Sequence, residues 1–239
     1  MTALVEASGI GRRFGSGSDS FVLHIDHLRL DKGACVAVTG PSGCGKSTLL
    51  GLLSLALRPS EVVAGPEVML RLDGADVLSM WRRGQAPAMA GLRASLLGYV
   101  PQTSALLSFL SLRDNIALPQ AISGRQDPAY LEAIAEWLGI LPLLDRRPSQ
   151  VSVGQRQRAA IARAIAHRPA IVLADEPTAS LHPSQAAEIM GMLHALAHHT
   201  GVALLATTHD AARAAAAGFA IAPCEPAGPG ATRFSWPLA

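Results

Sequence analysis

Aromatic side chains are scarce, making up 4% of the 239 residues. Burial must therefore rest on Ala, Leu, Val and Ile, and a surface that stacks nucleic-acid bases on aromatic rings is disfavoured. Charge of one sign is lacking too: 20 Lys and Arg against 18 Asp and Glu leave a net charge of +2. With no long basic run, a broad face for a polyphosphate chain is not expected, and nucleic acid is not an expected partner. The three cysteines, Cys35, Cys44 and Cys224, make neither a CxxC pair nor a His/Cys cluster at zinc spacing. Reduced thiols in a cytoplasmic protein are the expectation. No apolar run approaches the ~20 residues that cross a bilayer. Residues 211–222 are Ala-rich, but the stretch is shorter and contains Arg213. The opening MTALVEASGIGRRF lacks the basic start and apolar stretch of a secretory leader. A role at a membrane would then depend on anchoring by other chains.

What is present suits one compact α/β domain. Hydrophobic residues reach 49%, which excludes a disordered chain. Apolar runs at 4–7 and 21–30 read as strands, separated by the turn-forming GSGSDS at 15–20. Residues 34–39 and 171–174, and most of 202–207, are apolar without alternation, as in parallel strands buried on both faces. Residues 68–72 and 98–101 are further strand segments. Helical spacing marks 129–138, 154–167 and 184–198, and 47–57 reads as a helix. Between 103 and 148 helices and loops replace strands, and the Pro- and Gly-rich tail from 223 is weakly specified. Strand–helix alternation implies a largely parallel sheet with a helical insert between its two halves.

Chemistry concentrates first in GPSGCGKST, the nine residues Gly40, Pro41, Ser42, Gly43, Cys44, Gly45, Lys46, Ser47 and Thr48. The stretch fits G-x-x-x-x-G-K-[ST] in full and lies between a buried strand and a helix, the context that a phosphate loop requires. Glycines let successive backbone N–H groups turn inward toward phosphate oxygens, and the following helix adds its positive end. Lys46 is then placed to reach the β- and γ-phosphates, and the Ser47 hydroxyl to ligate Mg²⁺. Cys44 reads as a small filler, at a place where an alkylating reagent would obstruct phosphate.

A second concentration is the apolar strand 171–174, which runs into Asp175 and Glu176. Alternation along a strand gives the two carboxylates different directions. Asp175 is placed to hold hydrated Mg²⁺, and Glu176 to act as general base on an attacking water. A merely solvated strand end is the alternative, weakened by the phosphate loop upstream.

Taken in order, these segments resemble the ABC ATPase family over nearly the whole chain. Gly40 to Thr48 matches its Walker A loop, and Asp175 with Glu176 its Walker B and catalytic glutamate. Phe14 in RRFG matches the aromatic that stacks on adenine, and Gln102 in GYVPQ the Q-loop glutamine. VSVGQRQR at 151–158 looks like the signature motif, with Ser152, Gly154 and Gln155 at a helix start. His182 stands in the D-loop, and His209 in TTHD matches the switch histidine. The resemblance implies a P-loop NTPase (RecA-like) core with a mainly parallel sheet, an antiparallel β subdomain and an inserted α-helical subdomain. The corresponding division of the single domain 1–239 is 1–101 with 169–222 for the core, 102–168 for the helical part, and 223–239 as a tail.

The same resemblance implies ATP and Mg²⁺ as ligands, with Ser47, Gln102 and Asp175 serving the metal. Glu176, His209 and Gln102 would serve hydrolysis. Transmembrane permease subunits and a second ABC ATPase subunit, identical or related, are the implied partners. In that dimer Ser152, Gly154 and Gln155 face the nucleotide of the other cassette, and the assembly sits peripherally on the cytoplasmic face of the membrane. The stretch 96–119 further resembles the lipoprotein-release, macrolide-export and cell-division subgroup. Its Leu106, Leu107 and Phe109 are read either as a groove for a permease helix or as packing inside the helical lobe.

Two positions depart from the pattern. Val153 replaces the first glycine of the signature pair, where glycine-only backbone angles would exclude a β-branched residue. His182 takes the usual D-loop aspartate position. A regulatory cassette that binds ATP without turnover, and a soluble non-transport ATPase, remain the alternatives.

Overall fold

The computed structural model describes residues 3–16, 20–62 and 68–237. Two long strands, β1 (Ala3–Phe14) and β2 (Phe21–Asp31), open the chain and pair antiparallel. The short strand β3 (Cys35–Thr39) leads through the glycine loop into helix α1 (Lys46–Leu53). That helix stops sooner than the expected 47–57. The amides of Ala56 and Leu57 turn back to the Gly51 carbonyl, and the Leu57 side chain occupies the space that a Cβ on Gly51 would need.

Three short strands follow: β4 (Glu61–Val62) and β5 (Met69–Leu72) pair with β1, and β6 (Ala75–Asp76) pairs with β5. Helices α2 (Val77–Arg82) and α3 (Ala86–Leu96), which the sequence pattern did not disclose, then lead to β7 (Leu97–Val100). The helical insert is α4 (Leu112–Ser123), α5 (Pro128–Trp137) and α6 (Val153–Ile165). Strand β8 (Ile171–Ala174), helix α7 (Pro183–Thr200), strand β9 (Ala203–Thr208) and helix α8 (Ala211–Ala216) complete the alternation. Strands β10 (Ala220–Pro226) and β11 (Ala231–Trp236) close the described chain.

The strands form one path, β6-β5-β1-β2-β11-β10-β3-β9-β8-β7, with β4 attached to β1. From β10 to β7 every neighbouring pair is parallel. The pairs among β1, β2, β4, β5 and β6 are antiparallel. The two regions are stitched by β11, antiparallel to β10 and parallel to β2. Here the weakly specified tail is corrected: β10 and β11 complete the sheet. Their hairpin turns on Gly228 and Gly230, both at positive φ, and Phe234 lies fully buried. Pro223, Pro226 and the two glycines had concealed these strands, because such residues mark loops far more often than sheet.

Strand alternation divides the apolar side chains between two cores. Val172, Ala174, Leu204 and Ala206 face the cluster shared with the helical insert. Ile171, Leu173, Ala203 and Leu205 face the cluster under β1, β2 and α1. Both faces of the central strands are thus covered, which explains their unbroken apolar runs. Each buried Leu or Val contributes about 1.5–3 kcal/mol of transfer free energy. Polar pins hold the insert in place: fully buried Asn115 accepts from the Leu107 amide at 2.8 Å and donates to the Leu107 and Ser111 carbonyls. This anchors the loop that leaves the site toward α4.

Candidate functional site

The glycine loop hangs from the end of β3 in the parallel half of the sheet. Its last residue, Gly45, caps α1 at φ +97°, a left-handed conformation that side-chain-bearing residues rarely adopt. A Cβ there would also come within 2.9 Å of the Phe21 ring, so backbone angle and space both demand glycine. Lys46 is buried with 6% of its surface exposed, and its ammonium donates to the Gly40 and Pro41 carbonyls at 2.9 and 3.1 Å. The loop's own carbonyls thereby hold the cation at the mouth of a cavity of about 360 Å³. Ser42, Gly43, Ser47 and Thr48 line that cavity from the loop side, with Gln102 and Glu176 opposite.

Asp175 and Glu176 both lie just beyond β8, and the backbone turn there sends the two carboxylates to different partners. Asp175 Oδ1 accepts from the Ser47 hydroxyl at 3.3 Å and from the Thr207 hydroxyl at 2.7 Å. Glu176 instead has one oxygen 3.6 Å from the Lys46 ammonium and the other 3.4 Å from His209 Nδ1. Its backbone sits at φ +41°, unusual for a residue with a side chain, and its amide donates to Thr207 Oγ1 at 2.9 Å. Thr207 and His209 arrive on β9 and the turn after it. The neighbouring Tyr99 phenol is pushed up to about 12, first by burial and then by the Asp175 charge and hydrogen bond. Six of the expected residues, Lys46, Ser47, Gln102, Asp175, Glu176 and His209, therefore converge on one place.

Ser152, Gly154 and Gln155 lie elsewhere, lining a separate polar cavity of about 220 Å³ at the start of α6. Ser152 caps the helix: its hydroxyl accepts from the Gln155 amide at 3.3 Å, while the Gln155 side chain accepts from the Ser152 amide at 2.9 Å. This reciprocal cap leaves the helix start rigid and its positive end presented outward. Val153 is the first helical residue, without positive φ and half exposed. The expected conflict with glycine-only angles is thereby overturned, since helical angles suit any L-residue except proline inside the helix. His182 is exposed before α7, its ring nitrogen 3.0 Å from the Ser184 hydroxyl. Gln102 lines both the loop cavity and a second one shared with Val153, Gln157 and Ser180.

Phe14 is the last residue of β1. It pairs with Phe21 across the β1–β2 ladder, is 40% exposed, and has the Arg12 guanidinium 5.3 Å above its ring. Phe21, not Phe14, lines the phosphate cavity. Sequence reasoning missed both Phe21 and Thr207. Phe21 looked like an ordinary strand start, and Thr207 like the end of an apolar run. A hydroxyl two residues before His209 was the available signal.

The family model described as ABC transporter matches residues 23–179, more than half of the chain. The chain is 40% identical over 210 residues to the lipoprotein-releasing system ATP-binding protein LolD of Paramagnetospirillum magneticum, covering 86% of this chain and 88% of that protein. It is 41% identical over 216 residues to the macrolide export ATP-binding/permease protein MacB 1 of Aeromonas hydrophila. That match covers 87% of this chain and 31% of the longer relative. Among solved structures, the dimeric cassette MJ0796, a bacterial ABC transporter cassette, superposes with a TM-score of 0.80 at 25% identity, covering 95% of this chain and 96% of that one. A post-hydrolysis dimer of the same cassette, bound to ADP and Pi, superposes with a TM-score of 0.77 at 26% identity.

Proposed function

The chain belongs to the ABC transporter family, and on that premise we propose that it is the ATP-binding, ATP-hydrolysing subunit that energises a membrane transporter or mechanotransmission complex. One observation carries the reading: the Glu176 carboxylate spans Lys46 and His209 above the Ser47–Asp175 pair. A triphosphate entering the loop cavity meets the Lys46 ammonium at its β- and γ-phosphates, and the inward amides of the loop neutralise the remaining charge. Glu176 orients a water against the γ-phosphorus and takes its proton as the new P–O bond forms and the bond to the β–γ bridging oxygen breaks. The products are ADP and phosphate, and His209 is within reach of the departing group.

Mg²⁺ fits the hydroxyl and carboxylate oxygens that converge at Ser47 and Asp175, with Gln102 on the same cavity, because a small hard cation takes one or two protein oxygens plus phosphates and water. When bound it would offset charge on the β- and γ-phosphate oxygens. The rigid, capped start of α6 supports a second contact: Ser152, Gly154 and Gln155 would meet the γ-phosphate held by another cassette, so closure of a dimer completes each site.

Permease segments that cross the membrane are the proposed partner, on the cytoplasmic face where ATP is available. No helix among the described residues is long and apolar enough to cross a membrane. A groove of about 390 Å³ between α3 and α4 exposes Leu118, Ile122 and Tyr99 beside Arg93, Arg163 and His167, with no carboxylate in its lining. That surface suits an apolar permease helix carrying an acidic residue. The stretch suspected from sequence divides between the two alternatives: Phe109 is 69% exposed, while Leu106 packs against the insert core.

The test is Glu176→Gln. Steady-state hydrolysis should fall by about 10²–10⁴-fold, the usual worth of a general base. ATP binding should persist, and an ATP-dependent dimer should accumulate on size-exclusion chromatography. Turnover equal to that of the unmodified protein would overturn the assignment.

A further inference from the structure

Two of the three cysteines meet beneath the phosphate loop. Cys224 lies on β10 just after Pro223, which pairs with Thr39 at the end of β3, so Cys224 lies beside Gly40 at the root of the loop. A Cβ built on Gly40 would fall 2.7 Å from Cys44 Sγ and 3.3 Å from Cys224 Cβ. The sulfur of Cys44 thus reaches back from the loop's crest into the space left by the missing side chain, toward Cys224. Both residues pack in the same apolar cluster, Cys224 buried and Cys44 half-buried. Burial foremost, then Cys44, pushes the Cys224 thiol up to about 12, while Lys46 draws it down. Neither sulfur takes part in the hydrolysis derived above.

We propose that Cys44 and Cys224 are a peroxide-sensitive dithiol, and that their disulfide shuts the phosphate loop to nucleotide. The proposal concerns regulation of the proposed ATP site and rests on that reading for its functional half. A hydroperoxide is the oxidant. The half-buried Cys44 sulfur attacks one peroxide oxygen, the O–O bond breaks, and a sulfenic acid forms with release of one water from hydrogen peroxide. The Cys224 sulfur then displaces the hydroxyl, which leaves as water with the Cys224 proton as the S–S bond forms. Two thiols lose two electrons and the peroxide gains them. The bridge ties the loop's crest to β10 across Gly40, and requires the two Cα atoms to lie within about 4.4–6.8 Å of each other. Residue 44 stands between Gly43 and Gly45, both at positive φ, so the tether redirects the amides that would otherwise surround phosphate.

The experiment treats the purified chain with hydrogen peroxide, maps its disulfides by mass spectrometry, and measures binding of a fluorescent ATP analogue before and after dithiothreitol. A peptide linking Cys44 to Cys224 is expected, together with at least a tenfold loss of affinity that the reductant reverses. Saturating Mg-ATP added first should slow formation of the linked peptide. Cys224→Ala should bind ATP normally when reduced and form no linked peptide, while Cys35→Ala should behave as the unmodified chain. Absence of the linked peptide overturns the proposal, and so does its appearance with unchanged ATP affinity. The linkage is read by mass alone, so a chain that cross-links yet never binds ATP when reduced refutes the ATP-site reading rather than the dithiol.

Discussion

Replacing Thr207 by Val keeps the outline of the side chain and removes one oxygen. That oxygen is fully buried, donates to the Asp175 carboxylate at 2.7 Å and accepts from the Glu176 amide at 2.9 Å. Valine leaves the carboxylate short of a donor and the amide short of an acceptor. A hydrogen bond to a charged group contributes about 1.5–3 kcal/mol, and an unpaired buried amide costs about 1–3 kcal/mol. With partial relaxation, the expected loss of stability is about 2–4 kcal/mol. In a chain of this size that lowers Tm by about 5–15 °C. Activity should suffer as well, because Glu176 sits at φ +41° and the Thr207 hydroxyl is what its amide holds. A carboxylate displaced by about 1 Å from the attacking water lowers kcat by roughly 100-fold. KM for ATP should change little, since Lys46 and the loop are untouched. Urea unfolding and steady-state phosphate release measure the two effects, and Thr207→Ser, which keeps the oxygen, should recover most of both. The reasoning fails if the Val variant keeps the parental Tm and kcat, or if Ser is as damaging as Val.

Two further substitutions test separate parts of the site's frame. Gly45→Ala must adopt φ +97° and push its Cβ against Phe21, so ATP affinity by calorimetry should drop at least tenfold; trimming Phe21 to Leu should recover only the steric share, and full affinity in the single variant would refute the geometry. His167 bonds the Leu97 carbonyl through Nε2 at 3.1 Å, while its Nδ1 is buried without a partner among the described residues. Burial, opposed by the Leu97 carbonyl and aided by Arg125, holds this histidine below its ordinary 6.5. The unfolded chain therefore takes up the proton first. Stability is complete above about pH 6.5 and declines as pH falls from there through the folded-state value. His167→Gln, which can still donate to Leu97, should flatten that part of the urea-midpoint profile, and an unchanged slope would rule the assignment out.

The phosphate loop and the central strands were legible because their demands are local. A left-handed backbone needs glycine at Gly43 and Gly45, and a strand covered on both faces needs an unbroken apolar run such as Ile171–Ala174. Two of the three inserted helices, α5 and α6, showed for a similar reason, through spacing or a cap such as Ser152, whereas α4 did not. Phe21 was not singled out beside Phe14, since both sit at strand ends and only the β1–β2 register decides which ring lies against Gly45. The β10–β11 hairpin was hidden by Pro223, Pro226, Gly228 and Gly230, whose local preference for loops is overridden by burial of Phe234 between β2 and β10.

Local order alone determined that this chain would bend a glycine backbone around Lys46 and end an apolar strand in Asp175 and Glu176, because φ restrictions and side-chain alternation act within a few residues. The folded sheet decided the rest. Ser47 and Asp175 are 128 residues apart, and they meet because β3, β9 and β8 lie side by side in parallel register. The same packing carries Thr207 to the two carboxylates and sets Cys224 beneath Cys44. A spacing set by hydrogen bonds between strands is invisible along one strand, so these contacts belong to the tertiary structure.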